Sequence, residues 1–380
     1  MGPANAITQQ RGEDDRTKSQ YEKGVKQLID NGLKKVPKKY IFPAYDRPVA
    51  RNIEDPNDAK QNLQLPIIDF ADLLGPCRTH VLQSLANACE EYGFFQLVNH
   101  GISNDVINNM LDVSGRFFNL PFEERAKYIT SDVRAVVRYG TSFNQTKDTV
   151  FCWRDFLKLL SHPLPDYLPH WPSSPADFRH AAGTYAEETK YLFLTIMEAM
   201  IESLGIIEAN QEKETKENDN NIVQDLKDGS QMMIANFYPQ CPEPNLTLGM
   251  PPHSDYGFLT ILLQDEVEGL QIQFQEKWVT VQPIPNALVI NVGDHLEIYS
   301  NGKYKSVLHR VVVNSMKSRR SVASLHGLPF NHTVRPSPKL IDELNPKLYA
   351  DTDFNSFLSY ISTTELKRKD FLDSRRLTSI

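Results

Sequence analysis

His253 and Asp255 stand two residues apart, and His309 follows about fifty residues later. Two imidazoles and one carboxylate can occupy one face of an octahedral iron(II) ion and leave three positions open for a co-substrate and O2. The chemistry this donor set invites is oxygen activation at a non-haem iron. Ten residues after His309 comes Arg319-Arg320-Ser321, which places a guanidinium and a hydroxyl where they can hold an anion. A metal triad and an anion clamp in one stretch of chain are harder to obtain by chance than either alone.

The spacing has a physical reason. In extended chain, side chains two residues apart leave the same face, so His253 and Asp255 can converge on one ion. His309 must then arrive on a different strand brought alongside. In His309-Arg310-Val311-Val312-Val313 the histidine shares its face with Val311 and Val313, an apolar and therefore interior face. Arg319, Ser321, Ala323 and Leu325 likewise share one face of the next strand. An unpaired guanidinium in an interior is very costly, so Arg319 requires an anionic partner, which a dicarboxylic acid would supply. His253 and Asp255 follow the turn-rich Gly249-Met250-Pro251-Pro252 and precede the apolar run Phe258 to Leu263, which puts them at a strand mouth.

The elements that must position these residues are legible as hydrophobic period. From Met232 onward short apolar runs recur at regular spacing: Met232–Tyr238, Phe258–Leu263, Leu270–Phe274, Trp278–Val281, Ala287–Val292, Ser306–Val313 and Ser321–Gly327. Asn301-Gly302 reads as a tight hairpin turn between two of them. So many short strands predict a closed double sheet, a jelly roll of the cupin type. Upstream, Leu65–Phe70 and Gly93–Gly101 read as strands, His80–Tyr92 has helical period, and Ser103 caps a helix carrying Val106, Ile107, Met110, Val113 and Phe117. A longer helix is expected from about Gly183 to Leu204, stopped by Gly205. The expected fold is mixed α/β, a distorted double-stranded β-helix flanked by helices. Its expected parts are a polar, partly disordered segment over 1–60, a helix-rich region over 61–210 and a polar connector over 211–230. The jelly-roll core follows over 231–330, and a helical cover over 331–380 carries Phe354, Phe357, Leu358 and Ile361 as an apolar stripe.

Composition excludes several functions. The 380-residue chain carries a net charge of -7 and has a pI near 5.8. With no basic stripe, it is not built for nucleic acid. Its four cysteines, Cys77, Cys89, Cys152 and Cys241, have neither zinc-site nor disulfide-framework spacing. The polar first twenty residues lack a secretory apolar core, and no run reaches the length of a membrane span. The expectation is a cytoplasmic, monomeric protein whose partner is a small molecule, with neither nucleic acid nor membrane.

The resemblance is now specific. The chain resembles the plant 2-oxoglutarate and iron(II)-dependent dioxygenases, of the isopenicillin N synthase-like type that oxidises flavonoids and hormones. It does so through Pro66-Ile67-Ile68-Asp69, Tyr92 to Gly101, Phe117-Phe118-Asn119-Leu120-Pro121, Asn236-Phe237-Tyr238-Pro239-Gln240-Cys241-Pro242, Gly293-Asp294, Ser300-Asn301-Gly302 and Tyr304 to Arg310. The resemblance implies that His253, Asp255 and His309 bind Fe(II). It implies that Arg319 and Ser321 bind the far carboxylate of 2-oxoglutarate, with Tyr238 as a further donor and Asn236 beside the same pocket. O2 is then consumed, 2-oxoglutarate leaves as succinate and CO2, and ascorbate serves as reductant. Phe143, Trp153 and Phe156 fall in the region that faces the substrate mouth in such enzymes. Leu325 stands where relatives carry an aromatic residue, which would widen the substrate pocket. His100, although it ends a strongly patterned strand, is read as structural. The substrate class implied is a small plant metabolite, a phenolic, flavonoid or hormone, most simply hydroxylated. Two other readings stay open: an iron oxidase of the same fold that does not consume 2-oxoglutarate, and a non-catalytic small-molecule binder.

Overall fold

The computed structural model describes residues 23–48, 64–142, 148–207, 222–363 and 370–377. Its centre is an eight-stranded sheet facing a four-stranded one. The strands are β1 Ile67–Asp69, β2 Phe94–Val98, β3 Val137–Thr141, β4 Asp155–His162, β5 Gln231–Tyr238, β6 Met250–His253, β7 Leu259–Gln264, β8 Leu270–Phe274, β9 Lys277–Thr280, β10 Leu288–Val292, β11 His309–Val311 and β12 Arg319–His326. The large sheet runs β1-β2-β10-β7-β12-β5-β4-β3 and the small one β6-β11-β8-β9. This is the double-stranded β-helix expected from the strand spacing.

Strand alternation divides the large sheet into two chemical faces. Met233, Ala235, Ile261, Leu263 and Val322 belong to the main hydrophobic core on the outer face. Helix Phe178–Ser203 covers that face with Ala182, Tyr185, Ala186, Phe193, Met197 and Met200, all buried at helical spacing. Complete burial of side chains of this size contributes about 1.5–3 kcal/mol each, so the sheet's curvature is held from outside. The inner face, with Met232, Ile234, Asn236 and Tyr238 from β5, borders a cavity of about 900 Å³.

Several local expectations hold. Helix Arg78–Glu91 and helix Asn104–Phe118 lie where the period places them, and the Ser103 hydroxyl accepts from the Val106 N–H at 3.3 Å as an N-cap. Helix Phe178–Ser203 begins five residues earlier than Gly183, because Phe178 and Ala182 continue the buried stripe. His100 is structural: its ring bonds the Asn286 carbonyl at 2.9 Å and accepts from the Ile102 N–H.

One expectation fails. Asn301-Gly302 is not a hairpin turn. It closes helix Asp294–Tyr299, with both residues at positive φ and the Gly302 N–H donating to the Glu297 carbonyl. Left-handed backbone serves helix ends as well as hairpins, so Asn-Gly alone does not choose between them. β3 and β4 are short strands within the region expected to be helix-rich, at positions the hydrophobic period does not mark. They extend the large sheet beyond β5, and β4 lines the cavity with Lys158 and Leu160. The reading of residues 1–20 as disordered falls outside the described residues, as does most of the 211–230 connector, whose described end holds helix Ile222–Lys227.

Candidate active site

Strand pairing builds the donor cluster. β6 and β11 run antiparallel with His253 opposite His309, which brings the two rings to 4.2 Å between centroids. Asp255 follows just past the end of β6. Its Oδ1 lies 3.8 Å from His253 Nε2 and 3.7 Å from His309 Nε2. One donor atom from each residue falls within 4.8 Å of the others, so the three could share one metal ion.

Protonation suits the same role. His253 Nδ1 meets the Pro251 carbonyl at 2.9 Å and His309 Nδ1 meets the Val307 carbonyl at 3.2 Å. A carbonyl only accepts, so each Nδ1 carries a hydrogen and each Nε2 is the ring nitrogen turned toward Asp255. Burial, then the neighbouring His309, pushes the His253 imidazole well below the ordinary range and keeps it neutral. The 3.8 Å between His253 and Asp255 is therefore a gap between donors rather than an ion pair. Burial alone would raise the Asp255 carboxyl. The positive charge that His309 and His253 carry whenever they are protonated, with the hydrogen bonds from Thr260 and Asn291, outweighs it and holds the group below the usual carboxylate range.

Asp255 is aimed by its second oxygen. Oδ2 accepts from Thr260 Oγ1 at 2.5 Å and from Asn291 Nδ2 at 2.9 Å, which leaves Oδ1 toward the histidines. Asn291 and Thr260 are direct neighbours across β10 and β7. Sequence reasoning missed both; the available signal was a polar residue inside the apolar run Leu288-Val289-Ile290-Asn291-Val292.

Arg319 opens β12 and is buried, with its Nη2 on Gln264 Oε1 at 2.8 Å and Nη1 on Ser321 Oγ at 3.4 Å. Both partners are neutral, and its Nε has no partner among the described residues. The guanidinium carbon lies 5.3 Å from the centre of the Tyr238 ring. Such a group is prepared for an anion. Its position depends on Gly269, where an added Cβ would come within 2.7 Å of Arg319 Cδ and 3.0 Å of the Val312 carbonyl. Asn236 lines the same cavity, but its Oδ1 accepts from Arg154 Nη1 at 3.1 Å and its amide donates to the Ile234 carbonyl.

The substrate-side residues divide. Leu325 lines the cavity with Arg319, Ser321 and Ala323, as the alternation of β12 requires. Trp153 does not line it. Its ring is fully buried with Tyr40 and Phe151, and its Nε1 donates to the Pro239 carbonyl at 3.2 Å, so it is core. Phe156 does not line it either, because its ring is covered by the Arg138 and Arg154 guanidinium groups at 5.2 and 5.0 Å. Phe143 lies outside the described residues. The C-terminal helix Phe354–Thr363 closes one side of the cavity with Phe354 and Phe357, the latter ring 4.1 Å from that of Tyr256.

Comparison with known proteins agrees with this geometry. Residues 229–327 match the model of the 2OG-Fe(II) oxygenase superfamily, and residues 65–174 match that of the non-haem dioxygenase in morphine synthesis N-terminal region. The chain is 42% identical to DMR6-LIKE OXYGENASE 1 of Arabidopsis thaliana over 81% of its own length and 84% of that protein. It is 41% identical to flavanone 3-dioxygenase 2 of Oryza sativa subsp. japonica, over 89% and 93%. The crystal structure of JOX2 in complex with 2OG, Fe and JA superposes with a TM-score of 0.80 at 31% identity, covering 93% of this chain and 98% of that one.

Proposed function

The chain belongs to the 2-oxoglutarate- and iron(II)-dependent dioxygenases, and on that premise we propose that it hydroxylates a small plant metabolite, a phenolic, flavonoid or hormone, with release of succinate and CO2. Its cofactor is iron(II), its co-substrates are 2-oxoglutarate and O2, and ascorbate is the customary reductant. The observation that carries the reading is that the three metal donors and the buried Arg319 open onto one cavity.

In this reading His253, Asp255 and His309 hold the iron, and Arg319 with Ser321 and Tyr238 binds the distal carboxylate of 2-oxoglutarate. The iron, when bound, supplies the activation of O2 that side chains lack. The chain's own contribution is positional. Thr260 and Asn291 fix one oxygen of Asp255, so its other oxygen keeps a constant bearing toward the metal. The Arg319 fork, held by Gln264, offers a planar pair of donors to a carboxylate. Phe354, Phe357 and Leu325 line the cavity with apolar surface and exclude water from the reacting centre.

The substrate range of relatives supports a small organic molecule, since one is a flavanone 3-dioxygenase and another, from Papaver somniferum, a codeine O-demethylase. A cytosolic, monomeric enzyme completes the proposal. All four cysteines are free, and among the described residues no helix is long and apolar enough to cross a membrane. The test is release of labelled CO2 from 2-oxoglutarate across a panel of plant phenolics, flavonoids and hormones. Release stimulated by a panel member, with an equal yield of oxidised product, is expected. Oxidised product without 2-oxoglutarate consumption would transfer the chain to the iron oxidases of this fold.

A further inference from the structure

The cavity has a second cationic wall that neither the metal nor Arg319 uses. Arg154, just before β4, and Lys158, within it, both line the cavity and both are buried, each 6% exposed. Arg154 donates to Asn236 Oδ1 at 3.1 Å and to the Ser142 carbonyl at 2.9 Å, and its Nε has no partner among the described residues. Lys158 donates to the Val133 carbonyl at 2.9 Å. These partners are all neutral. Arg138 adds a third charge beside them, its guanidinium 5.2 Å from the centre of the Phe156 ring that Arg154 also approaches. Asp132 and Asp148 act on Arg138 and Asp132 on Lys158, and Asp148 accepts from Ser142 Oγ at 2.6 Å. Burying cations against neutral acceptors is costly unless an anion completes the site.

Register separates this wall from Arg319. Lys158 pairs across β5 with Ile234, and Ile234 pairs with Ala323 of β12. β4 therefore stands two strand spacings, about 10 Å, from β12. Arg154, just before β4 of the large sheet, and His253, on β6 of the small one, line the same cavity. Between the two cationic positions the lining is apolar, with Leu160, Met232, Ile234 and Leu325.

We propose that Arg154 and Lys158 form a carboxylate subsite for the substrate, which selects an organic acid with an apolar body that reaches from this wall to the donor cluster. The proposal rests on the reading that the cavity takes a small organic substrate, and it narrows that substrate to an anion. It assigns no bond-making to either residue. Their part is to bind one end of the molecule and so decide which of its carbons faces the metal.

The test uses the full chain, loaded with iron(II) and saturating 2-oxoglutarate under anaerobic conditions, so that Arg319 is already engaged. The probes are 2-naphthoate and its methyl ester, equal in ring system and different in charge, titrated by calorimetry. Wild type is expected to bind the acid about tenfold or more tightly than the ester, the worth of a charged hydrogen bond. Lys158→Met and Arg154→Gln should each bring the ratio toward one while ester affinity and 2-oxoglutarate affinity stay within about twofold. Equal affinities in wild type, or no measurable binding of either probe, overturns the proposal, and this holds even if a variant fails to fold. Variants that weaken 2-oxoglutarate in place of the acid also overturn it, because the wall would then serve the co-substrate. An acid preference in a protein that never consumes 2-oxoglutarate would leave the subsite standing and reject the catalytic reading.

Discussion

His253 and His309 face each other at one register position of adjacent antiparallel strands, their rings 4.2 Å apart at the centroids. The pairing fixes two of the three donors through backbone hydrogen bonds, which leaves Asp255 as the donor whose bearing depends on side chains. Those side chains are Thr260 and Asn291.

Asn291→Ala tests that dependence. The variant leaves all three donors in place and removes one of the two hydrogen bonds that orient Asp255. Loss of such a partner weakens metal binding by about 10–100-fold. Competition against a fluorescent iron(II) chelator measures it, and an unchanged affinity would show that Asp255 needs no support from β10.

Arg319→Lys keeps the charge and loses the fork. Affinity for 2-oxoglutarate should weaken by about 1.5–3 kcal/mol, the range for a charged hydrogen bond, with iron binding preserved. Gly269→Ala should act in the same direction without touching the charge, because its methyl group would displace the Arg319 side chain. An Arg319→Lys variant with wild-type 2-oxoglutarate affinity would move the carboxylate clamp elsewhere.

Leu325→Phe adds a ring to the cavity wall between Met232 of β5 and Thr260 of β7. Overpacking typically costs about 1–3 kcal/mol. The cost should fall on substrate binding, seen as a raised KM, with 2-oxoglutarate consumption partly uncoupled from product. Equal coupling and unchanged KM would make Leu325 ordinary packing.

Lys158 gives the cavity a pH dependence. Burial, then repulsion from Arg138, pulls its ammonium down to about 8, with Asp132 acting against them. Below that pH the side chain is charged and attracts a carboxylate; above it the side chain is neutral. Binding of 2-naphthoate should therefore weaken as pH rises through about 8, while binding of the methyl ester stays level. The loss is partial, since guanidinium groups do not titrate in this range. A parallel decline for both probes would assign the change to the fold and not to Lys158.

The donor cluster and Arg319 were legible because each obeys a local rule. His253 and Asp255 share a strand face at a spacing of two, and Arg319, Ser321 and Leu325 repeat that parity along β12. What stayed hidden depends on pairing between distant segments. Thr260 and Asn291 matter only because β7 and β10 are neighbours, and Gly269 only because it packs on Arg319. Arg154 and Lys158 were missed for the same reason: β4 reaches the cavity by pairing with β5, and its sequence, Asp155-Phe156-Leu157-Lys158, gives no strong strand period. Trp153 was misread since an aromatic residue near a mouth motif looks the same in sequence whether it faces the cavity or, as here, the core.

The central claim is that His253, Asp255 and His309 bind iron in one cavity with a 2-oxoglutarate anchored by Arg319. Anaerobic titration of 2-oxoglutarate into the iron(II)-loaded full chain, followed by visible charge-transfer absorbance, tests it most directly. The account predicts a saturable band in wild type that is absent in Asp255→Ala, which loses its one anionic donor and with it the bound iron. A wild type that shows no band, or an Asp255→Ala variant that shows the wild-type band at the wild-type 2-oxoglutarate concentration, would contradict it.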